Sequence, residues 1–162
     1  MSTKTTRLAI GVAVVLATLL FGASATLAGS AKFHSATSSV NSDGALVVNW
    51  DQRGVGEGDI TYTLEADATA LYACINRGGK NPEAANKQSF EGAVAGGGTF
   101  ASKNGRVLGT LTAGPLAAPE FTCPSGQRRV LASVTYTNIV LTDTTNGVST
   151  PVPDASRTFL VV

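Results

Sequence analysis

Apolar and polar residues alternate along most of this chain, with the period of a β-strand rather than a helix. Ile60, Tyr62, Leu64 and Ala66 form one series, and Thr61, Thr63 and Glu65 fall between them. Successive side chains of a strand point to opposite faces, so such a run offers one face to a core and one to water. Residues 45–51 (ALVVNWD) put Leu46, Val48 and Trp50 in phase, and residues 130–136 do the same with Val130, Ala132, Val134 and Tyr136. After Asn138 the phase changes: Ile139 and Leu141 fall on the face that carried Ser133 and Thr135. A strand that continues through Asn138 must bulge there or pass from one sheet to another. This segment is predicted to be the central strand of the fold.

The remaining elements follow from shorter runs and turn residues. Residues 32–40 form a first strand, closed by the turn signature Asn41-Ser42-Asp43-Gly44. A glycine-rich loop, RGVGEG, precedes the run from Ile60, and Asp67-Ala68-Thr69 separates that run from a strand over 70–75. A strand over 89–95 is interrupted by Gly96-Gly97-Gly98 and resumes at 99–102. Asn104-Gly105 is the strongest short hairpin signal and predicts 107–112 as the returning strand; Asn146-Gly147 marks a second hairpin. Residues 156–162 (SRTFLVV) are apolar on both sides, which predicts a closing strand inside a sheet. Eight or nine short strands without a competing helical pattern predict an all-β domain. The expected form is an immunoglobulin-like antiparallel β-sandwich, with a closed β-barrel as the alternative.

Length and composition fit this outline. A chain of 162 residues holds one ordinary domain, and 18 glycines with only 14% charged residues suit short strands joined by tight turns. Residues 1–28 read as a signal peptide: Lys4 and Arg7 supply a positive start, residues 8–21 an apolar stretch, and small residues allow cleavage after Ala25 or Ala28. The alternative is an uncleaved N-terminal anchor. The mature domain then spans 29–162, is secreted, and has no membrane attachment. Without Lys4 and Arg7, ten basic residues stand against 11 acidic ones. Nucleic acid is therefore disfavoured as a partner, since binding it needs a concentrated positive field.

Export places thiols in an oxidising compartment, and Cys74 and Cys123 are the only cysteines. They are expected to form a structural disulfide that ties the two sheets together. A redox or metal-binding pair is disfavoured because the sequence has no CxxC, and the only histidine, His34, is distant.

Three stretches, YACINRGGKNPEAANK (72–87), FTCPSGQ (121–127) and SVTYTNIVLTDTTNGVS (133–149), resemble a group of small, uncharacterised exported proteins of actinobacteria and some fungi. Their pattern is a cysteine followed by an Asn/Gly-rich loop, a Cys-Pro-x-Gly-Gln turn, and a Tyr-Thr-Asn…Thr-Asp-Thr strand. The resemblance covers most of the mature chain. It implies secretion and paired cysteines, and it brings no active site.

Catalytic and metal motifs are missing: there is no G-x-S-x-G, no HExxH, and His34 reads as a strand residue. The GGK at 78–80 lacks phosphate-loop spacing. Asp51, Glu57 and Asp59 flank a glycine-rich loop and could hold calcium, though a solvated loop is the plainer reading. Trp50, Tyr62, Tyr72 and Tyr136 could offer faces to sugar rings, but their phase places them in the core. The longest polar connection, 76–88, carries Arg77, Lys80 and Lys87 against Glu83 and is the best binding candidate by composition. No metal or cofactor is implied. The sequence thus predicts a non-enzymatic extracellular interaction or structural protein with a protein or carbohydrate ligand. A protease inhibitor presenting a rigid loop and a carbohydrate-binding module are the alternatives.

Overall fold

The computed structural model describes residues 30–76, 78 and 86–161. The expected leader, 1–28, lies outside these residues. Among the described residues eight strands follow in order: β1 (Lys32–Val40), β2 (Leu46–Arg53), β3 (Asp59–Asn76), β4 (Lys87–Ala101), β5 (Arg106–Ala113), β6 (Gln127–Asp143), β7 (Val148–Pro151) and β8 (Ala155–Thr158). They form two antiparallel sheets. One has the order β1-β2-β5; the other has β4-β3-β6, with β7 and β8 lying one after the other along the far edge of β6.

The sheets pack face to face through the alternating apolar series. Leu46, Val48 and Trp50 of β2 and Val107 and Leu111 of β5 meet Ile60, Tyr62 and Leu64 of β3 and Val134, Tyr136, Ile139 and Leu141 of β6. Both sheets remain open, so the fold is a sandwich and not a closed barrel. Among the described residues no helix is long and apolar enough to cross a membrane.

The phase change at Asn138 is a bulge. Glu65 pairs with Val140 and Asp67 with Thr137, so β6 carries one extra residue there, and Asn138 adopts φ 51°. The bulge returns Ile139 and Leu141 to the core, where each is at most 2% exposed. β6 stays within one sheet, between β3 and the β7–β8 edge.

Several expected boundaries are corrected. Residues 67–69 do not break the strand, because Ala68 continues the inward series Ala66, Ala68, Ala70. The triple glycine does not interrupt β4 either. A Cβ at Gly96 would lie 2.1 Å from the Thr112 carbonyl oxygen, so glycine lets β4 pass closely over β5. Asn104 and Gly105 do form a tight turn with φ 51° and 69°, and Lys103 and Arg106 exchange two backbone hydrogen bonds. No hairpin ladder follows, however: β4 belongs to one sheet and β5 to the other. The closing strand ends at Thr158, pairs only with β6, and so lies at an edge rather than inside. Its apolar Phe159 comes after the strand and is covered by the Arg157 guanidinium, 4.9 Å above the ring.

Candidate functional site

Cys74 and Cys123 are joined, with Cα atoms 5.5 Å apart. The sequence led to the expectation that this bond ties the two sheets together, and the structure corrects it. Cys74 lies near the end of β3, and Cys123 lies in the connection between β5 and β6, so the bridge fastens that connection to the five-stranded sheet. Other contacts fasten it too. The Tyr72 hydroxyl donates to the Leu116 carbonyl at 2.6 Å. Arg129 donates to the Ala118 and Phe121 carbonyls and rests over the Tyr72 ring. Phe121 meets Phe90, which in turn packs edge-on against Tyr72. The connection 114–126 is thus a long loop held by one covalent and several non-covalent links.

Of the cationic loop residues, Lys87 opens β4 opposite Ala73 and is half-buried. Arg77 and Lys80 lie outside the described residues.

The carboxylates Asp51, Glu57 and Asp59 are not brought together. Asp51 faces outward from β2 and is gripped by two arginines: Arg106 donates to both of its oxygens at 2.8 and 2.9 Å, and Arg53 donates at 3.0 Å. The Arg106 guanidinium, assisted by Arg53, lowers this carboxyl to about 2. Its oxygens are occupied by cations of the protein itself. Among the described residues no group of three potential metal ligands converges.

The aromatic side chains face inward. Trp50 is 3% exposed, Tyr62 and Tyr136 are fully buried, and Trp50 packs against Tyr62 and Phe100 with centroids 4.8 and 5.0 Å apart. Tyr72 is half-buried beneath the fastened loop. None forms a flat external platform for a sugar ring.

A buried polar chain escaped the sequence reading. The Tyr62 hydroxyl donates to Gln52 Oε1 at 2.6 Å, and Gln52 Nε2 donates to Asp143 Oδ2 at 2.9 Å. Asp143 also accepts from the Asn146 backbone and side chain at 2.9 and 2.7 Å. Gln52 and Asp143 have no exposed surface. Gln52 belongs to the three-stranded sheet, and Tyr62 and Asp143 to the other, so the chain pins the two layers together. Its signal was present: Gln52 continues the inward series Leu46, Val48, Trp50, and a polar residue there needs a buried partner. Burial raises the Tyr62 hydroxyl to about 12.

The outer face of the five-stranded sheet is built differently. Thr61, Thr63, Glu65, Asp67 and Thr69 of β3 alternate with the core series, beside Thr135, Thr137, Val140 and Thr142 of β6. Neighbouring hydroxyls pair across strands, Thr61 with Thr99 at 3.1 Å and Thr142 with Ser149 at 2.9 Å. At the Asn138 bulge this face dips into a shallow hollow of about 430 Å³. Ala93, Ala95 and Val140 contribute its apolar lining, with Glu65 and Asp67 beside them. Asn138 Nδ2 donates to Asp67 Oδ2 at 2.8 Å and so orients that carboxylate. The hollow therefore offers two carboxylates and an amide over an apolar floor, surrounded by hydroxyls. Such a set suits a ligand that is both cationic and rich in hydrogen-bonding groups.

Comparison of the chain with protein families, with curated proteins and with solved structures finds no match.

Proposed function

We propose that this is a secreted, non-catalytic interaction protein of immunoglobulin-like build, which meets its ligand with the outer face of the five-stranded sheet. The build is supported by the strand order, β1-β2-β5 against β4-β3-β6-β7, a sandwich in which the chain changes sheet after its second, fourth and fifth strands. Secretion is supported by the disulfide, a bond that persists in oxidising compartments. The observation that carries the functional reading is the hollow at the Asn138 bulge, where Glu65 and Asp67 stand on a hydroxyl-covered face.

The test is co-sedimentation of the purified protein with chitosan, chitin, cellulose and peptidoglycan, together with binding to polylysine. Retention by a cationic probe is expected, weakened several-fold by Glu65→Gln with Asp67→Asn and by added salt. Failure to bind any probe removes the face as a contact surface. Turnover in a broad hydrolase screen would overturn the non-catalytic reading.

A protease inhibitor is the second reading, supported by the fastened connection 114–126, which exposes Pro119, Glu120 and Thr122 beside the disulfide. Pre-organisation of a loop reduces the entropy lost on docking. Mixing with subtilisin-type and trypsin-type proteases decides it: unchanged protease rates remove this reading.

A further inference from the structure

A sheet edge presents unpaired N–H and C=O groups, and exposed edges are ordinarily shortened, bulged, charged or covered. Three edges of this sandwich are managed in those ways. β1 begins at Lys32 and slips register between Phe33 and Ser35, and its Ser38 and Val40 are engaged by Pro153 and Arg157. β7 and β8 are four residues each, and Pro151 and Pro153 stand at the break between them. β5 begins with Arg106 and is overlain by β4 at Thr112.

The edge of β4 is different. It runs for 15 residues and pairs with β3 along its whole length without a register slip. It contains no proline, and its two charged residues, Lys87 and Glu91, both lie near its start. From Gly92 to Ala101 it carries only small, apolar or hydroxyl side chains, GAVAGGGTFA. Among the described residues no strand pairs with its other side.

We propose that this edge pairs with the same edge of a second copy, antiparallel about a two-fold axis at Gly96, joining two five-stranded sheets into one. The edge is its own complement in that register. Residues on the same face meet: Ala93 opposite Thr99, Val94 opposite Gly98, Ala95 opposite Gly97, and Glu91 opposite Ala101. No two bulky side chains and no like charges are opposed, which is what an isologous contact requires. The near-zero formal charge of the chain, +1, also leaves little long-range repulsion between copies.

The experiment is sedimentation velocity on the mature, oxidised protein over a wide concentration range, with Ala101→Glu and Ala101→Lys. Ala101 is exposed at the end of β4, so neither variant enters the core. Ala101→Glu opposes two carboxylates twice across the axis and is expected to weaken the dimer about tenfold; Ala101→Lys is expected to tighten it by about the same factor. Hydrogen exchange on the unaltered protein gives the second reading: β4 amides should gain protection as concentration rises. A protein that stays monomeric throughout overturns the proposal. So does a dimer indifferent to the sign at residue 101, or one whose β4 amides exchange as fast as in the dilute monomer.

Discussion

Asp143 is where a small change should have the largest effect on stability. It is fully buried, and its carboxylate accepts three hydrogen bonds, from Gln52 Nε2 and from the backbone and side chain of Asn146. Asp143→Ala removes the only hydrogen-bond acceptor of Gln52 Nε2 among the described residues, in a fully buried site. A buried donor left unpaired costs roughly 1–3 kcal/mol, and hydrogen bonds to a charged group contribute about 1.5–3 kcal/mol each. Asn146 is half-buried and regains water, so its two bonds count for less. The sum is roughly 3–5 kcal/mol. For a domain of this size each kcal/mol lowers the melting temperature by about 3–4 °C, so a fall of roughly 10–18 °C is expected.

The assay is calorimetric melting of the oxidised protein near neutral pH, with Gln52→Ala and the double variant completing a cycle. Because both single changes break the same contact, the double variant should cost about 1–2 kcal/mol less than the sum of the singles. A melting point within about 3 °C of the unaltered protein for Asp143→Ala, or strict additivity in the cycle, would refute the view that this chain pins the layers.

Three further outcomes are expected. The Asp51 carboxyl is held at about 2 by Arg106 and Arg53, below its unfolded value of about 3.9, so its contribution is complete above that value and is lost as pH falls towards 2. The melting-temperature gap between the unaltered protein and Asp51→Asn should therefore narrow between pH of about 4 and about 2; a constant gap would count against the arginine clamp. All three tyrosines are shifted upward by burial, Tyr62 to about 12, so absorbance at about 295 nm at pH of about 10 should show less tyrosinate in the folded protein than in the unfolded chain; equal absorbance would count against their burial. Gly109→Ala would set a methyl 2.2 Å from Trp50 Cζ2, on a ring flanked by Tyr62 and Phe100, and should cost about 1–3 kcal/mol by denaturant titration. The fluorescence of Trp50, the only tryptophan, should shift with it.

What could be read from the sequence was what depends on local pattern. The first strand matches its expected bounds, Lys32–Val40, and the inward phase of Trp50, Tyr62 and Tyr136 was correct. The irregularity at Asn138 showed because Ile139 and Leu141 could not share a face with Tyr136 in an unbroken strand. What could not be read depends on what lies opposite. Gly96-Gly97-Gly98 looks like an interruption until β5 is seen passing beneath Gly96. Asn104-Gly105 forms its turn, but turn chemistry does not say which sheet the next strand will join. Of the site, the parts of the outer face were visible as the outward series Thr61, Thr63, Glu65. Its hollow was not, because it exists only where β3, β4 and the bulged β6 lie side by side. Asp143 drew no separate reading from the sequence, because its burial is matched by Gln52, a partner far away in the chain.

The change of layer after the Asn104-Gly105 turn also constrains the order of assembly. β5 completes the small sheet by pairing with β2, so Arg53 meets Arg106 and Leu46 meets Ala113 only after β3 and β4 have been accommodated. A chain emerging N-terminus first leaves the β2 edge beside Trp50 unpaired until that late strand arrives. Closure of distant segments is slow, and a half-built layer is sticky while it waits. The turn that looks most local in the sequence thus makes maturation hinge on pairings between strands far apart in the chain, and the delay falls when the nascent molecule is most open to aggregation.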